Sequence, residues 1–135
     1  RLWDARTWEL RRTIEQAGAA GALAFSPAAA RLAALDAEGR IAVIDTGSGA
    51  MEKAWAAERG GCVVFSRIGG RLVIGQSDGS ISVWNARSGD RETTLPGSTG
   101  PTSAISIERS GRRLAAVGAD GSIRIWTLSD VAQER

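Results

Sequence analysis

Residue types able to do chemistry are few in this sequence, and their spacing is wrong for most of it. There is no histidine and one cysteine, Cys62. That removes the Ser-His-Asp and Cys-His nucleophilic arrangements and the paired histidines of a helix-borne metalloprotease site. It also removes a structural zinc site of ordinary ligand type. Gly75-Gln76-Ser77-Asp78-Gly79 fits the G-x-S-x-G pattern, but that elbow needs a strand-to-helix turn and a base, and Ser77 falls in a hairpin. Lys53 follows Glu52 rather than a glycine, so there is no phosphate loop. Carboxylates are plentiful, yet Asp36, Glu38, Asp78 and Asp120 all fall in turns. No segment alternates oxygen ligands as a calcium loop does. The reading is of no catalytic residue, no cofactor-binding residue and no metal ligand, hence not an enzyme.

Charge narrows the partners. The 17 basic and 15 acidic residues leave a net charge of +2. All the basic residues except Lys53 are arginines, scattered from Arg1 to Arg135 and never in a block. Nucleic-acid binding needs clustered cations that displace counterions, so nucleic acid is not an expected partner. Apolar runs are only a few residues long, far short of a membrane span. A single cysteine excludes an intrachain disulfide and fits a cytoplasmic protein. Richness in Ala, Gly and Arg points to a GC-rich bacterial genome.

The elements that carry these residues repeat. FSPAAARLAALDAEGRIAVID from Phe25, FSRIGGRLVIGQSDGSISVWN from Phe65 and IERSGRRLAAVGADGSIRIWT from Ile107 align without gaps. Leu32, Leu72 and Leu114 correspond, at steps of 40 and 42 residues. LWD at Leu2–Asp4 matches the ends of these units. Each unit reads as four short strands between turn signals. First strands are expected near Leu23–Ser26, Cys62–Ser66 and Ala104–Glu108. Second strands fall near Leu32–Leu35, Leu72–Gly75 and Leu114–Val117, and third strands near Ile41–Asp45, Ile81–Asn85 and Ile123–Thr127. Fourth strands are expected near Met51–Trp55 and Arg91–Leu95, with an earlier copy at Glu9–Ile14. Asp78-Gly79 and Asp120-Gly121 favour tight hairpins, because glycine accepts positive φ. The second strands are apolar on both faces, as when sheets stack face to face. Apart from a short final helix in SDVAQER, helical periodicity is absent.

FSP, RLA, SDGSISVWN and ADGSIRIWT resemble the WD-repeat family, and a period near forty residues with a Trp-Asp mark is that of a four-stranded propeller blade. The resemblance implies an all-β fold, a partial β-propeller of three four-stranded antiparallel blades plus the end of a preceding blade. Residues 1–14 would be the last strands of that preceding blade, 15–56 blade 1, 57–96 blade 2, and 97–135 blade 3, complete or not. The matching signature residues are Trp3, Asp4, Asp78, Trp84, Asp120 and Trp126. Ile44 stands in place of the Trp and Glu38 in place of the turn Asp in the first unit. The family's Gly-His pair is absent, and Gly97-Ser98 stands where the third unit would carry it. Without the family's buried His–Ser/Thr–Asp–Trp set, stability is expected to rest on apolar stacking.

The resemblance also implies a function. An interaction scaffold would bind other proteins or peptides at a rim of loops 15–21, 56–61 and 96–102 with turns 36–40, 76–80 and 118–122. Gln16, Arg59, Gln76 and Ser98 are the candidate partner-binding residues. No membrane, no nucleic acid and no cofactor are expected. Two further readings stay open. DTGSGAMEKAW at Asp45–Trp55 resembles the Trp-docking repeat of quinone-cofactor dehydrogenase propellers. The segment could equally be the sensor arm of a multidomain kinase or nucleotidase. Propellers close with four to eight blades, so three imply either a fragment whose remaining blades lie in the same chain, or self-association if the chain is complete. RLWD duplicates a third strand that RIWT already supplies, which favours the fragment. Among other residues, Cys62 is expected as a small buried apolar side chain, Trp55 as core, and Trp8 as tucked under the fourth strand in preference to exposed at the rim. Arg11-Arg12 and Arg112-Arg113 read as solvated edge residues.

Overall fold

In the computed structural model of the chain, residues 1–15, 19–27, 30–67 and 70–128 are described. The elements are strands in chain order. A ribbon of β1 (Leu2–Trp3) and β2 (Leu10–Arg12) comes first. The first full sheet is β3 (Ala20–Phe25), β4 (Arg31–Asp36), β5 (Arg40–Asp45) and β6 (Met51–Ala56). The second is β7 (Gly60–Phe65), β8 (Arg71–Gln76), β9 (Ile81–Asn85) and β10 (Arg91–Leu95). The third holds β11 (Thr102–Ile107), β12 (Arg113–Gly118) and β13 (Ile123–Thr127). Each sheet is antiparallel, with its strands side by side in sequence order.

Register confirms the repeat. Leu32 pairs with Ile44, Leu72 with Trp84 and Leu114 with Trp126, and on the other side Phe25, Phe65 and Ile107 face the same leucines. The third sheet has three strands among the described residues, the incomplete form that the sequence left open for blade 3; the helix expected in SDVAQER falls on 129–135, outside them. Strand starts need one correction. The inner strands start two or three residues earlier than expected. Each opens with the same bulge, between Ala20 and Ala22, Gly60 and Cys62, and Thr102 and Ala104. The extra residues there are Gly21, Gly61 and Ser103, which have little strand propensity, and such residues mark bulges rather than strands to a sequence reader.

The sheets stack face to face. Ala33, Leu35, Ile41 and Val43 of the first sheet pack against Val63, Leu72, Ile74 and Trp84 of the second. The other face of the second, Val73, Ile81 and Val83, packs against Leu114 and Ala116 of the third. The middle strands of the first and second sheets, β4, β5, β8 and β9, are thus buried on both sides, which explains their largely apolar sequences. The outer strands add fewer contacts but one aromatic pair. Trp55 of β6 lies 6.1 Å from Trp84 of β9, tilted by 37°. Trp55 is in the core as expected, although its buried indole N–H finds no acceptor among the described residues.

A charged strut recurs at the outer edge. Arg31 pairs with Glu52 at 2.7 Å, and the equivalent Arg71 with Glu92 at 2.6 Å. Each ties the start of a second strand to its fourth. Arg113 holds the same position in the third sheet and turns instead to Glu108, 2.8 Å away.

Candidate functional site

The rim is built from the turns after the second strands and the loops that enter the first strands. In all three turns a carboxylate accepts the N–H of the residue following the glycine. Asp78 accepts from Ser80 at 2.9 Å and Asp120 from Ser122 at 2.9 Å. In the first sheet the acceptor is not Glu38, the residue aligned with them. Asp36, two positions earlier, takes the Arg40 N–H at 2.9 Å and the Glu38 N–H at 3.0 Å. The Arg40 N–H, joined by the Arg40 guanidinium, holds Asp36 below the usual carboxylate range. Asp78 and Asp120 are lowered in the same direction, first by the hydroxyls of Ser80 and Ser122. These serines are a sequence signal that was passed over: Asp-Gly-Ser places the hydroxyl where the carboxylate can take it.

The entry loop of the second blade sits between the preceding blade's turn and its own. Ala57 N–H donates to Gly39 O of the first blade at 2.7 Å, and Ser77 N–H, in the second blade's own turn, to Arg59 O at 2.9 Å. In the third blade the fit is tighter still. Gly79 has φ of +92°, and a Cβ there would overlap the carbonyl of Ser98. A Cβ on Gly97 would overlap the carbonyl of Gly79. Glycine is needed at both positions because backbone meets backbone.

Below the rim the family's polar set is replaced by another. Gln76, only 2% exposed, donates its amide to Glu58 and accepts from the Ser80 hydroxyl. Glu58 also takes Arg91 at 2.8 Å, and the Arg91 guanidinium lies 5.1 Å from the Trp84 ring centroid. Trp84 donates its indole N–H to Ser82 at 2.8 Å. Ser98 occupies the corresponding place over Gly118, where a larger residue would not fit. Ala57-Glu58 and Gly97-Ser98 therefore stand where the family carries Gly-His. The expectation that apolar stacking alone holds the blades needs amending for the second sheet, where Glu58, Gln76 and Ser80 form a linked network.

The candidate residues separate accordingly. Arg59 is exposed on the rim, over Ser77. Ser98 is half-buried beside Asp120, with Thr99 between loop and turn donating to Asp120 at 3.3 Å. Gln76 belongs beneath the rim rather than on it, since its amide is spent on Glu58 and Ser80. Gln16 lies outside the described residues. Sequence reading missed Glu58, and it placed Asp36 in the turn without seeing that it takes the capping role of the aligned Glu38.

The signature tryptophans divide as well. Trp84 is buried and Trp126 half-buried, whereas Trp3 is 55% exposed. Asp4, at the end of the β1 strand, accepts the N–H groups of Arg6 and Thr7 and the guanidinium of Arg11, 2.7 Å away. Trp8 is corrected: it is 76% exposed and not tucked under a strand. It holds the turn position taken by Gly49 and Gly89, with φ of +62° against their +76° and +78°. Left-handed backbone aims its side chain away from the sheet.

Other expectations shift in detail. Arg12 is exposed as expected but also pinned, donating to the carbonyls of Gly47 and Ser48 at 2.6 and 2.9 Å. Cys62 is half-buried, and burial pushes its thiol up, away from a reactive thiolate. In Asp45–Trp55, the segment likened to a quinone-docking repeat, Asp45 caps its own turn through Ser48 and Trp55 is used against Trp84.

Stacked antiparallel sheets, each joined to the next by a loop seated on the preceding turn, define part of a β-propeller. A family model described as "WD domain, G-beta repeat" matches residues 89–127. Residues 89–127 thus match a WD repeat, and the other repeats are similar to those of WD-repeat proteins in divergent form. It is 35% identical over 60 residues to U3 small nucleolar RNA-associated protein 7 of Saccharomyces cerevisiae, covering 44% of this chain and 11% of that protein. It is 34% identical over 68 residues to WD repeat and HMG-box DNA-binding protein 1 of Xenopus laevis, 50% of this chain and 6% of that one. With small ribosomal subunit protein RACK1y of Oryza sativa it shares 31% over 88 residues, 64% of this chain and 25% of that one. These matches span a quarter or less of the relatives' own lengths. Among solved structures, that titled "Structure of U3-55K" superposes with a TM-score of 0.81 at 18% identity, over 88% of this chain and 39% of that one.

Proposed function

We propose that this chain is part of a WD-repeat propeller that acts as a scaffold, binding other proteins or peptides at the rim and catalysing no reaction. The observation that carries this reading is the construction of the rim. Its turns are fixed by backbone and carboxylate hydrogen bonds, while Arg59, Ser77, Asp78 and Asp120 remain exposed on them. A rigid frame with exposed polar loops is the usual way a fold carries recognition. The kinship with WD-repeat proteins supports it at the level of fold. A cytoplasmic setting goes with the proposal. So does the covering of the apolar end faces around Phe25 and Ile123 by further blades, from the same chain or a second copy.

The test is affinity capture with the full chain and with a variant carrying Arg59→Glu and Ser77→Lys. Both side chains are exposed, so folding should be retained and bound proteins lost. An unchanged set of captured proteins would remove the rim from consideration.

A further inference from the structure

On the opposite side of the sheets from the rim lies a hollow of about 260 Å³ between the first and second blades. It is formed where Ser26-Pro27 and Arg31 of the first blade and Ser66-Arg67 of the second meet the turn after β9. Its wall carries three arginines, Arg31, Arg67 and Arg87, and no acidic residue. That is more positive charge than the whole chain's net +2. Arg31 is already engaged by Glu52 at 2.7 Å. Arg67 and Arg87 are exposed, and among the described residues neither guanidinium has a carboxylate partner. Asn85, also in the wall, uses its side-chain oxygen to accept the N–H groups of Arg87 and Ser88 at 2.9 and 3.0 Å. Among the described residues its amide nitrogen meets no acceptor.

We propose that this hollow binds a phosphorylated side chain of a protein partner. Two uncompensated guanidinium groups call for a ligand with about two negative charges. A phosphate monoester carries roughly −1.5 to −2 at neutral pH, whereas a carboxylate would leave one arginine unbalanced. Guanidinium forks match phosphate oxygens two at a time, and the Asn85 amide adds a neutral donor. The hollow is a closed cluster rather than a stripe, so it suits one phosphate and not the track of charges that a nucleic-acid backbone presents. The proposal rests on the scaffold reading of the chain, but it uses a different face and different residues.

The experiment uses the full chain, titrated with a phosphoserine peptide whose other residues are Gly, Ala and Ser, with its unphosphorylated counterpart, and with inorganic phosphate. Binding is followed by the Nε–H signals of the arginines in nuclear magnetic resonance spectra. The phosphopeptide should move the Arg67 and Arg87 signals saturably, and the unphosphorylated peptide should not. Arg67→Ala with Arg87→Ala should weaken binding by about tenfold or more, the loss expected for charge-assisted hydrogen bonds, with the thermal midpoint unchanged. Arg59→Glu with Ser77→Lys should leave phosphopeptide binding intact, so failure of the rim and failure of the hollow read differently. Equal binding of both peptides would overturn the proposal. So would inorganic phosphate binding without the phosphopeptide, insensitivity to the double alanine variant, or tighter, steeply salt-dependent binding of a single-stranded oligonucleotide.

Discussion

Ile81 and Ile123 are the same residue type at the same register, each the first residue of a third strand. Ile81 is fully buried and Ile123 is 68% exposed. The next equivalent pair, Val83 and Ile125, divides in the same way, at 0% and 66%. Nothing within the second or third sheet accounts for this. The second sheet has a neighbour on each face, and among the described residues the third has one on a single face. In a stacked-repeat protein the interior of a blade is made by the blade next to it, and the strand sequence only makes the face suitable for covering.

The contrast can be broken by mutation. Ile81→Ala is expected to cost about 2–5 kcal/mol in urea unfolding, the range for truncating a buried side chain. Ile123→Ala should stay within about 0.5 kcal/mol, as for an exposed site. Similar losses at the two positions would mean that the face of the third sheet is covered in solution.

The polar interior sharpens the same contrast between blades. Gln76→Leu should destabilise by about 1–3 kcal/mol, because Ser80 and Glu58 lose a buried partner. The third blade has Gly118 under Ser98 at this place and no such dependence. A neutral Gln76→Leu would show that the network is ornamental and that apolar stacking suffices.

Trp8 tests the preceding ribbon against the full blades. A bulky residue in left-handed backbone costs about 1–2 kcal/mol. Trp8→Gly, which restores the residue found in the equivalent turns, should therefore raise the unfolding midpoint by an amount corresponding to about 1 kcal/mol. A fall would mean that the indole has a partner.

The smallest effect concerns pH. Asp36 has its pKa lowered in the folded chain by Arg40 N–H and guanidinium. A depressed carboxylate adds stability that is fully present above its unfolded value of about 3.9 and fades as pH falls through the folded one. Asp36→Asn should be less stable than the natural chain at pH 6, with the gap closing below about pH 4. A gap independent of pH would assign the role of Asp36 to shape rather than charge.

Much of this was legible before any coordinates. Ile41, Ile81 and Ile123, the Gly39, Gly79 and Gly121 turns and the forty-residue step specify strands, hairpins and stacking, because hydrophobic period and positive φ are local properties. The rim turns were placed for the same reason. Its chemistry was less readable. Gln76 is polar and next to a turn, so it passed for a surface residue until its two partners, Glu58 and Ser80, were seen around it. Glu58 is eighteen positions away in sequence from Gln76. The capping role of Asp36 hid because the carboxylate moved two residues along the turn while keeping the same N–H.

The sequence alone determined the strands, their order and the faces suited to burial, since these follow from residue type and spacing within some forty positions. Tertiary structure alone decided which faces are covered, which polar groups meet, and where arginines from separate blades converge. Those outcomes depend on distances between parts of the chain that no local pattern encodes.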